Sequence, residues 1–379
     1  MAHPAFQLLT YSDLPHWDDD THLDAFRCFL VSAEKFRTDG KYPKTKLSGV
    51  DGKALSGIFQ RALEDSRQIQ SDAAAKGFFE KHFVPVSVPA PSEYPEEWPG
   101  LLTAYYEPVL EGSRSRSPEF SVPLLRRPSD LIEIKTDADR AKLPQHWPEG
   151  LRFGKSVDGK IKPYFDRSEI EGKSYSQGAL AERGLELVWL QNRVEAFFVH
   201  IQGSACINLR DGTTLRVSYD GKSGHDYTPI GRVLKERGAL ASGNITMESI
   251  KAWLHANPDE QLNVLHANRS FIFFREETGL TDGLGPRAAA GVQLTTGRSL
   301  AVDRLMHSFH TPIYVSSKQD DQISHRLMIA QDTGSAIVGP HRGDYFAGSG
   351  TIAGAHAGGF CAAAHFTLLL PKTQLETLQ

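Results

Sequence analysis

The sequence predicts a mainly β protein with N-terminal helices, arranged as two compact domains. At 379 residues the chain exceeds what one hydrophobic core ordinarily serves. Its first quarter repeats apolar residues at helical spacing, whereas from Thr103 onward it breaks into short strand-like runs divided by glycine turns. Many short strands of this kind argue for a barrel or a sandwich.

After the acidic Asp18-Asp-Asp20, Leu23, Phe26, Leu30 and Ala33 share one helical face. Leu55, Phe59, Ala62 and Leu63 repeat the pattern, and a third helix is expected from Ser71 to Phe83. Prolines 85, 89, 91, 95 and 99 exclude regular helix between Val84 and Gly100, which reads as an extended connector with a domain boundary just after it. Phe197, Val199 and Ile201 alternate with Phe198, His200 and Gln202, which predicts a strand with His200 and Gln202 on one side. Asp211-Gly212 lies between two apolar runs and predicts a hairpin, because this pair supplies the positive φ of a type I′ turn. Thr228 as N-cap, Pro229 at the first helical position and Gly238 as stop frame a short helix. Thr246 opens another that buries Met247, Ile250 and Leu254. Short strands follow at 271–274, 299–302, 312–315, 326–330 and 366–370.

Composition excludes several classes. Forty-two basic against 46 acidic residues leave a net charge of −4 with no long basic run, so nucleic acid is not an expected partner. Cys28, Cys206 and Cys361 show no C-x-x-C spacing, which indicates neither a zinc cage nor a disulfide framework beyond one bridge. No apolar run approaches the roughly 20 residues of a membrane span. The first residues lack a basic n-region and an apolar h-region, so the chain reads as intracellular or as given without its leader.

Motif searches narrow the chemistry. Gly-Lys-Ser occurs at Gly154, Gly172 and Gly221, but Glu149, Arg167 and Arg216 stand where a phosphate loop needs its first glycine. His307-x-x-His310 is an isolated pair without a carboxylate motif, and H-E-x-x-H is missing, so no metal site is expected. The absence of G-x-S-x-G weighs against a serine hydrolase of the common α/β type.

Three aspartates remain: Asp303 in Ser299-Leu-Ala-Val-Asp303, Asp332 in Ala330-Gln-Asp332-Thr-Gly334, and Asp344 in Gly343-Asp344-Tyr-Phe346. Carboxyl groups at strand ends can converge in one cleft. Apolar surroundings destabilise the ionised form, raise the pKa, and fit such a group to act as a general acid toward a glycosidic oxygen. Plainer roles compete: Asp332 before Thr-Gly suits a residue bonding its own turn, and Asp303 suits one that orients loops. Asp344 precedes Tyr345 and Phe346, rings placed to shield it from water or to line a sugar subsite.

Asp303, Asp332-Thr-Gly-Ser-Ala-Ile-Val-Gly339 and Asp344 together resemble the three-aspartate (3D) domain. Thr103-Ala-Tyr-Tyr-Glu-Pro108, Trp189-Leu190, Phe197-Phe-Val-His-Ile-Gln-Gly-Ser204, Tyr227-Thr-Pro-Ile-Gly-Arg232 and Asn268-Arg-Ser-Phe-Ile-Phe-Phe274 resemble the membrane-bound lytic murein transglycosylase A (MltA) family. The resemblance runs in family order from about Gly100 to Leu370. It implies a double-psi β-barrel domain built from 1–102 and 276–379, an inserted β-rich domain at 103–275, and a groove between them for a glycan strand. It implies Asp344 as the catalytic acid with Asp332 beside it and Asp303 as third member. Thr103, Tyr105, Tyr106, Gln202, Gly203 and Ser204 would line the groove on the inserted domain's side, with Tyr345 as a further substrate contact.

The implied reaction cleaves the β-1,4 bond between N-acetylmuramic acid and N-acetylglucosamine of peptidoglycan without water, leaving a 1,6-anhydro end and needing no cofactor or metal. Peptidoglycan glycan strands would be the partner. The implied place is the periplasm, with outer-membrane association and membership of a cell-wall enzyme complex left open. Ser335, Val338, Ala104, His200 and His307-Ser-Phe-His310 depart from the family's usual residues, Val338 by replacing a lysine. A hydrolytic endoglycanase, a non-catalytic glycan-binding protein and an envelope scaffold are the alternatives.

Overall fold

Residues 7–41, 43–46, 50–87, 100–144, 146–148, 151–158, 160–241, 245–319 and 322–375 are described by a computed structural model. Three helices form where the apolar spacing predicts them. Helix α1 (His22–Asp39) buries Ala25, Phe26, Phe29 and Ala33 on one face and ends at Gly40, whose positive φ lets its N–H reach the Phe36 carbonyl at 2.8 Å. Helix α2 (Gly52–Asp65) is capped by Asp51, and α3 (Asp72–His82) by Ser71. Their phenylalanines interlock, with Phe26 against Phe78 and Phe29 against Phe59 at 5.0 Å between centroids.

The chain divides into two units. The first comprises Met1–Tyr106, Leu280–Gly348 and Phe360–Gln379, and the second Glu107–Gly279 and Ser349–Gly359. In the first, six strands close on themselves: β1 (Gly100–Glu107), β2 (Ser299–Val302), β3 (Pro312–Gln319), β4 (Gln322–Asp332), β5 (Arg342–Ser349) and β6 (Cys361–Pro371). The hydrogen-bonded order is β6, β3, β4, β2, β5, β1 and back to β6. Strand β6 closes the ring because its first residues pair with β1, while its later ones accept Phe83–Ser87 on the same edge.

Alternation along these strands sorts side chains to two faces. Leu102, Leu300, Ile313, Met328, Tyr345 and Phe366, one from each strand, belong to a single interior cluster. Tyr314, Leu327, Ile329 and Leu369 point the other way and meet α1 to α3. Gly343 faces the interior, where an added Cβ would lie 2.6 Å from the Phe366 ring.

The second unit holds a six-stranded sheet in the order Ile272–Glu277, Thr214–Lys222, Ser204–Leu209, Val109–Ser113, Glu186–Leu190, Val122–Leu125, and a three-stranded sheet of Leu131–Glu133, Phe153–Val157 and Lys160–Pro163. The hairpin expected at Asp211-Gly212 joins Ser204–Leu209 to Thr214–Lys222, with Gly212 at φ 82°. The short helices expected after Thr228 and Thr246 are Ile230–Glu236 and Met247–Ala256; Thr246 caps the second, whereas the first starts one residue late, with Pro229 and not Thr228 at its N-cap. The three cysteines are free.

The architecture is mixed α and β with large sheets, and carries more helix than a mainly β chain. The expected strand at 197–202 is the C-terminal part of a helix, Arg193–Gln202, capped by Asn192. Its apolar residues read as a strand because both sides are buried: Phe197 and Phe198 in one cluster, Ala196 and Val199 in another. His200 and Gln202 therefore diverge by about 200° around the helix axis instead of aligning. Residues 258–266 and 350–359 are further helices that apolar spacing did not reveal. Most of the proline-rich connector, at 88–99, lies outside the described residues.

One buried ion pair ties the helical layer to the ring. Arg298 donates both terminal nitrogens to Asp20 at 2.9 Å, and Asp20 also accepts from the Leu327 N–H at 2.7 Å. Asp20→Ala leaves a buried guanidinium without its counter-charge and is expected to cost about 3–5 kcal/mol. Urea unfolding reads this as a lowered midpoint, and an unshifted midpoint would show that the pair does not anchor the layers.

Candidate active site

The register of β2 assembles the site. Ala301 pairs with Asp344 of β5 on one side and with Asp332 of β4 on the other. Directly paired residues project from the same face, so the two carboxylates flank a methyl group. The pairing with Asp332 depends on a one-residue register shift, since Leu300 pairs with Ala330 and Ala301 skips Gln331. Gln331 is the skipped residue because it is held elsewhere: it donates to the Cys28 carbonyl at 3.0 Å and to Ser32 at 2.9 Å, both on α1.

Strand β1 runs beside β5. Leu102 and Ala104 pack with the interior cluster, so Thr103 and Tyr105 share the outer face with Asp344. Thr103 Oγ1 donates to Asp344 Oδ1 at 2.6 Å and accepts from Arg342 Nη2 at 2.7 Å. Tyr105 donates its hydroxyl to Asp332 Oδ2 at 2.7 Å, its ring lying 5.5 Å from that of Phe346. Asp332 Oδ1 accepts the N–H groups of Ala289 at 3.1 Å and Thr333 at 2.9 Å. The turn-bonding role open to Asp332 is thus filled at the same time as its place beside Asp344.

Burial pushes the Asp344 carboxyl up to about 6, with the charge of Asp332 adding to the rise; the Thr103 bond and the Arg342 cation oppose it and lose. Burial also raises Asp332 against its three donors. Burial raises the Tyr105 phenol most, followed by the charge of Asp332, so it stays a donor at any pH where the protein works.

The other expected residues separate from this cluster. Asp303 is buried, with one oxygen accepting the Leu305 N–H at 2.9 Å and the other the Gly339 N–H at 2.8 Å, which makes it a clasp between two loops. Tyr345, expected beside Asp344 as a substrate contact, is instead interior and packs edge-on against Phe360 at 5.2 Å. Consecutive strand residues face opposite ways, so adjacency in sequence puts these two apart. Tyr106 is likewise buried. Thr103, Tyr105 and Tyr106, expected on the inserted domain's side, belong to the first unit because β1 pairs with β5 and β6.

Gln202, Gly203 and Ser204 lie in the second unit, where Gly203 at φ 78° ends a helix and Ser204 is buried at a strand start. His200 is buried too, its Nδ1 accepting from the Ile272 N–H at 3.2 Å. Among the described residues no cluster has the make-up of a metal site. Sequence reasoning missed Arg342, although its position two residues before Asp344 places it on the same strand face. Val338, which stands where the resemblance leads one to expect a lysine, is exposed on its loop.

Comparisons with known proteins point to one family. A family model described as the MltA specific insert domain matches residues 101–275, and one described as the 3D domain matches 298–370. The crystal structure of a membrane-bound lytic murein transglycosylase from Agrobacterium tumefaciens is 37% identical, with 99% of each chain covered and a TM-score of 0.87. The structure of MltA from Neisseria gonorrhoeae in a monoclinic form is 29% identical over 97% of this chain and 92% of that one, with a TM-score of 0.76. The Escherichia coli K12 protein named membrane-bound lytic murein transglycosylase A is 30% identical over 267 residues, 68% of this chain. The match spans 62% of that relative's length.

The raised carboxyl has a consequence for stability. Asp344 titrates at about 6 when folded against an ordinary 3.8, so the folded state holds the proton more tightly. Stability from the neutral form is complete below about pH 4 and lost as pH rises through 6. Asp344→Asn, neutral throughout, is expected to match the parent near pH 4 and to exceed it at pH 8 by on the order of 1–3 kcal/mol. Urea unfolding at both pH values checks this, and a gap that ignores pH would contradict the burial argument.

Proposed function

Because the chain belongs to the membrane-bound lytic murein transglycosylase A family, we propose that it cleaves the β-1,4 bond between N-acetylmuramic acid and N-acetylglucosamine in peptidoglycan and leaves a 1,6-anhydro end. The observation that carries this reading is Asp344: a carboxyl held near 6 by burial, bonded through Oδ1 alone, with Oδ2 unpartnered among the described residues. Such a group keeps its proton in mildly acidic solution and has an oxygen left to present it.

Protonated Asp344 donates to the bridging O4 as the C1–O4 bond breaks. The resulting carboxylate then takes the proton of the muramoyl 6-hydroxyl as O6 bonds to C1. Asp344 ends protonated, ready for another cycle. The nucleophile comes from the substrate, so no second carboxylate is needed to activate water, unlike the paired-carboxylate glycosidases. Asp332, bonded by Tyr105 and two N–H groups, acts on Asp344 through charge. No cofactor enters the scheme.

The ring of six strands supports a double-psi β-barrel with the stretch at 103–275 as its insertion. Thr103 and Tyr105, on the same strand face as Asp344, are the proposed glycan contacts of the first unit. The relatives' names, membrane-bound and murein, support a place in the cell envelope, which we take to be the periplasm.

Digestion of purified sacculi followed by mass spectrometry tests the proposal. Anhydro ends are expected from the parent, with an alkaline limb near pH 6, and a loss of at least about 10²-fold in Asp344→Asn. Free reducing ends in place of anhydro ends would identify a hydrolase.

A further inference from the structure

Arg342, Thr103 and Asp344 form a directed chain of hydrogen bonds. The guanidinium is fixed before it reaches Thr103: Nη1 contacts the carbonyls of Gly343 and, at 3.4 Å, Leu101, while Nη2 donates to Thr103 Oγ1 at 2.7 Å. A hydroxyl that accepts from a cation becomes a stronger donor and a poorer acceptor. Its proton is then committed to Asp344 Oδ1, 2.6 Å away. An oxygen already accepting that bond is a poor seat for an acid proton.

We propose that Arg342 is a positioning residue that orients the Thr103 hydroxyl as a donor to Asp344 Oδ1, so that the transferable proton resides on Oδ2. The claim rests on the reading of Asp344 as the acid and adds which of its oxygens performs the transfer and what decides it. One carboxyl oxygen is anchored and the other is the acid. The same chain limits the rise in the carboxyl's pKa, since both the Thr103 bond and the Arg342 charge pull it down against burial.

Charged and titratable groups acting on this network come from four strands of the ring and from Cys28 of α1, which acts on Tyr105. Tyr105 lies on β1, Arg342 and Tyr345 on β5, and Asp332 on β4, while Cys361 at the start of β6 acts on Arg342. Only Arg342 among them bonds the hydroxyl that Asp344 accepts from.

Carbon-detected NMR titration of aspartate-labelled protein tests the chain, the Asp344 signal being assigned by its loss in Asp344→Asn. Thr103→Val and Arg342→Gln are each expected to raise the midpoint by roughly half a unit to one unit. Thr103→Ser, which keeps the hydroxyl, leaves it in place and guards against a folding artefact. Combined with Thr103→Val, Arg342→Gln is expected to add less than half of the shift that it causes alone. An equal shift in both backgrounds would reduce Arg342 to a distant charge, and no shift would remove it from the network; either overturns the proposal. The alkaline limb of sacculus lysis should move with the NMR midpoint. Coupling without any lysis would defeat the functional reading and leave the hydrogen-bond chain standing, whereas lysis without coupling would do the reverse.

Discussion

Strand β2 is four residues long, and the site depends on what pairs with its third residue. Ala301 meets an aspartate on each edge, and its side chain is a single methyl group. A one-residue slip on either side would turn an aspartate to the opposite face, because side chains alternate with a period of two. The closed ring prevents that slip. Each strand is held on both edges, and the interior cluster takes residues from all six, so no strand can move alone without exposing apolar surface.

The three aspartates differ in how many donors each receives. Asp303 has two backbone N–H groups, one for each oxygen, and Asp332 has two backbone N–H groups and a phenol. Asp344 has, among the described residues, a single hydroxyl. Hydrogen bonds to a carboxylate favour the charged form and burial opposes it, so the group with the fewest donors is the one best suited to hold a proton. Its lone donor is itself polarised by a cation, which keeps the carboxyl near 6, where it can both give up and regain a proton.

Much of this was legible in the sequence, for local reasons. Thr246 before an apolar repeat and Asp211-Gly212 between two apolar runs predict a helix start and a hairpin because caps and tight turns are matters of a few residues. The helix at 193–202 was not legible as a helix, since Val194, Phe197, Phe198 and Val199 are buried on different sides and erase the periodicity. The importance of Asp344 came through resemblance, and its partner Asp332 sat in the same motif. Their nearness was implied by the resemblance alone; the residues themselves could not show it, because it requires the register shift at Gln331, set by helix residues about 300 positions earlier. Tyr345 shows the opposite case: alternation along a strand already implied that it and Asp344 face apart, and adjacency concealed it.

Thr103 and Asp344 are 241 residues apart, and Gln331 lies 303 from Cys28. Synthesis proceeds from the N-terminus, so helix α1 and strand β1 exist long before the strands that complete the ring. Contacts at such separation form late, after the cost of closing a long loop has been met. The hydroxyl at 103 therefore waits, unengaged by its aspartate, until the strand that carries position 344 has been made. A chain still short of that strand carries the helices without the carboxyl pair, so the bond between these two side chains forms only after both sides of the ring exist.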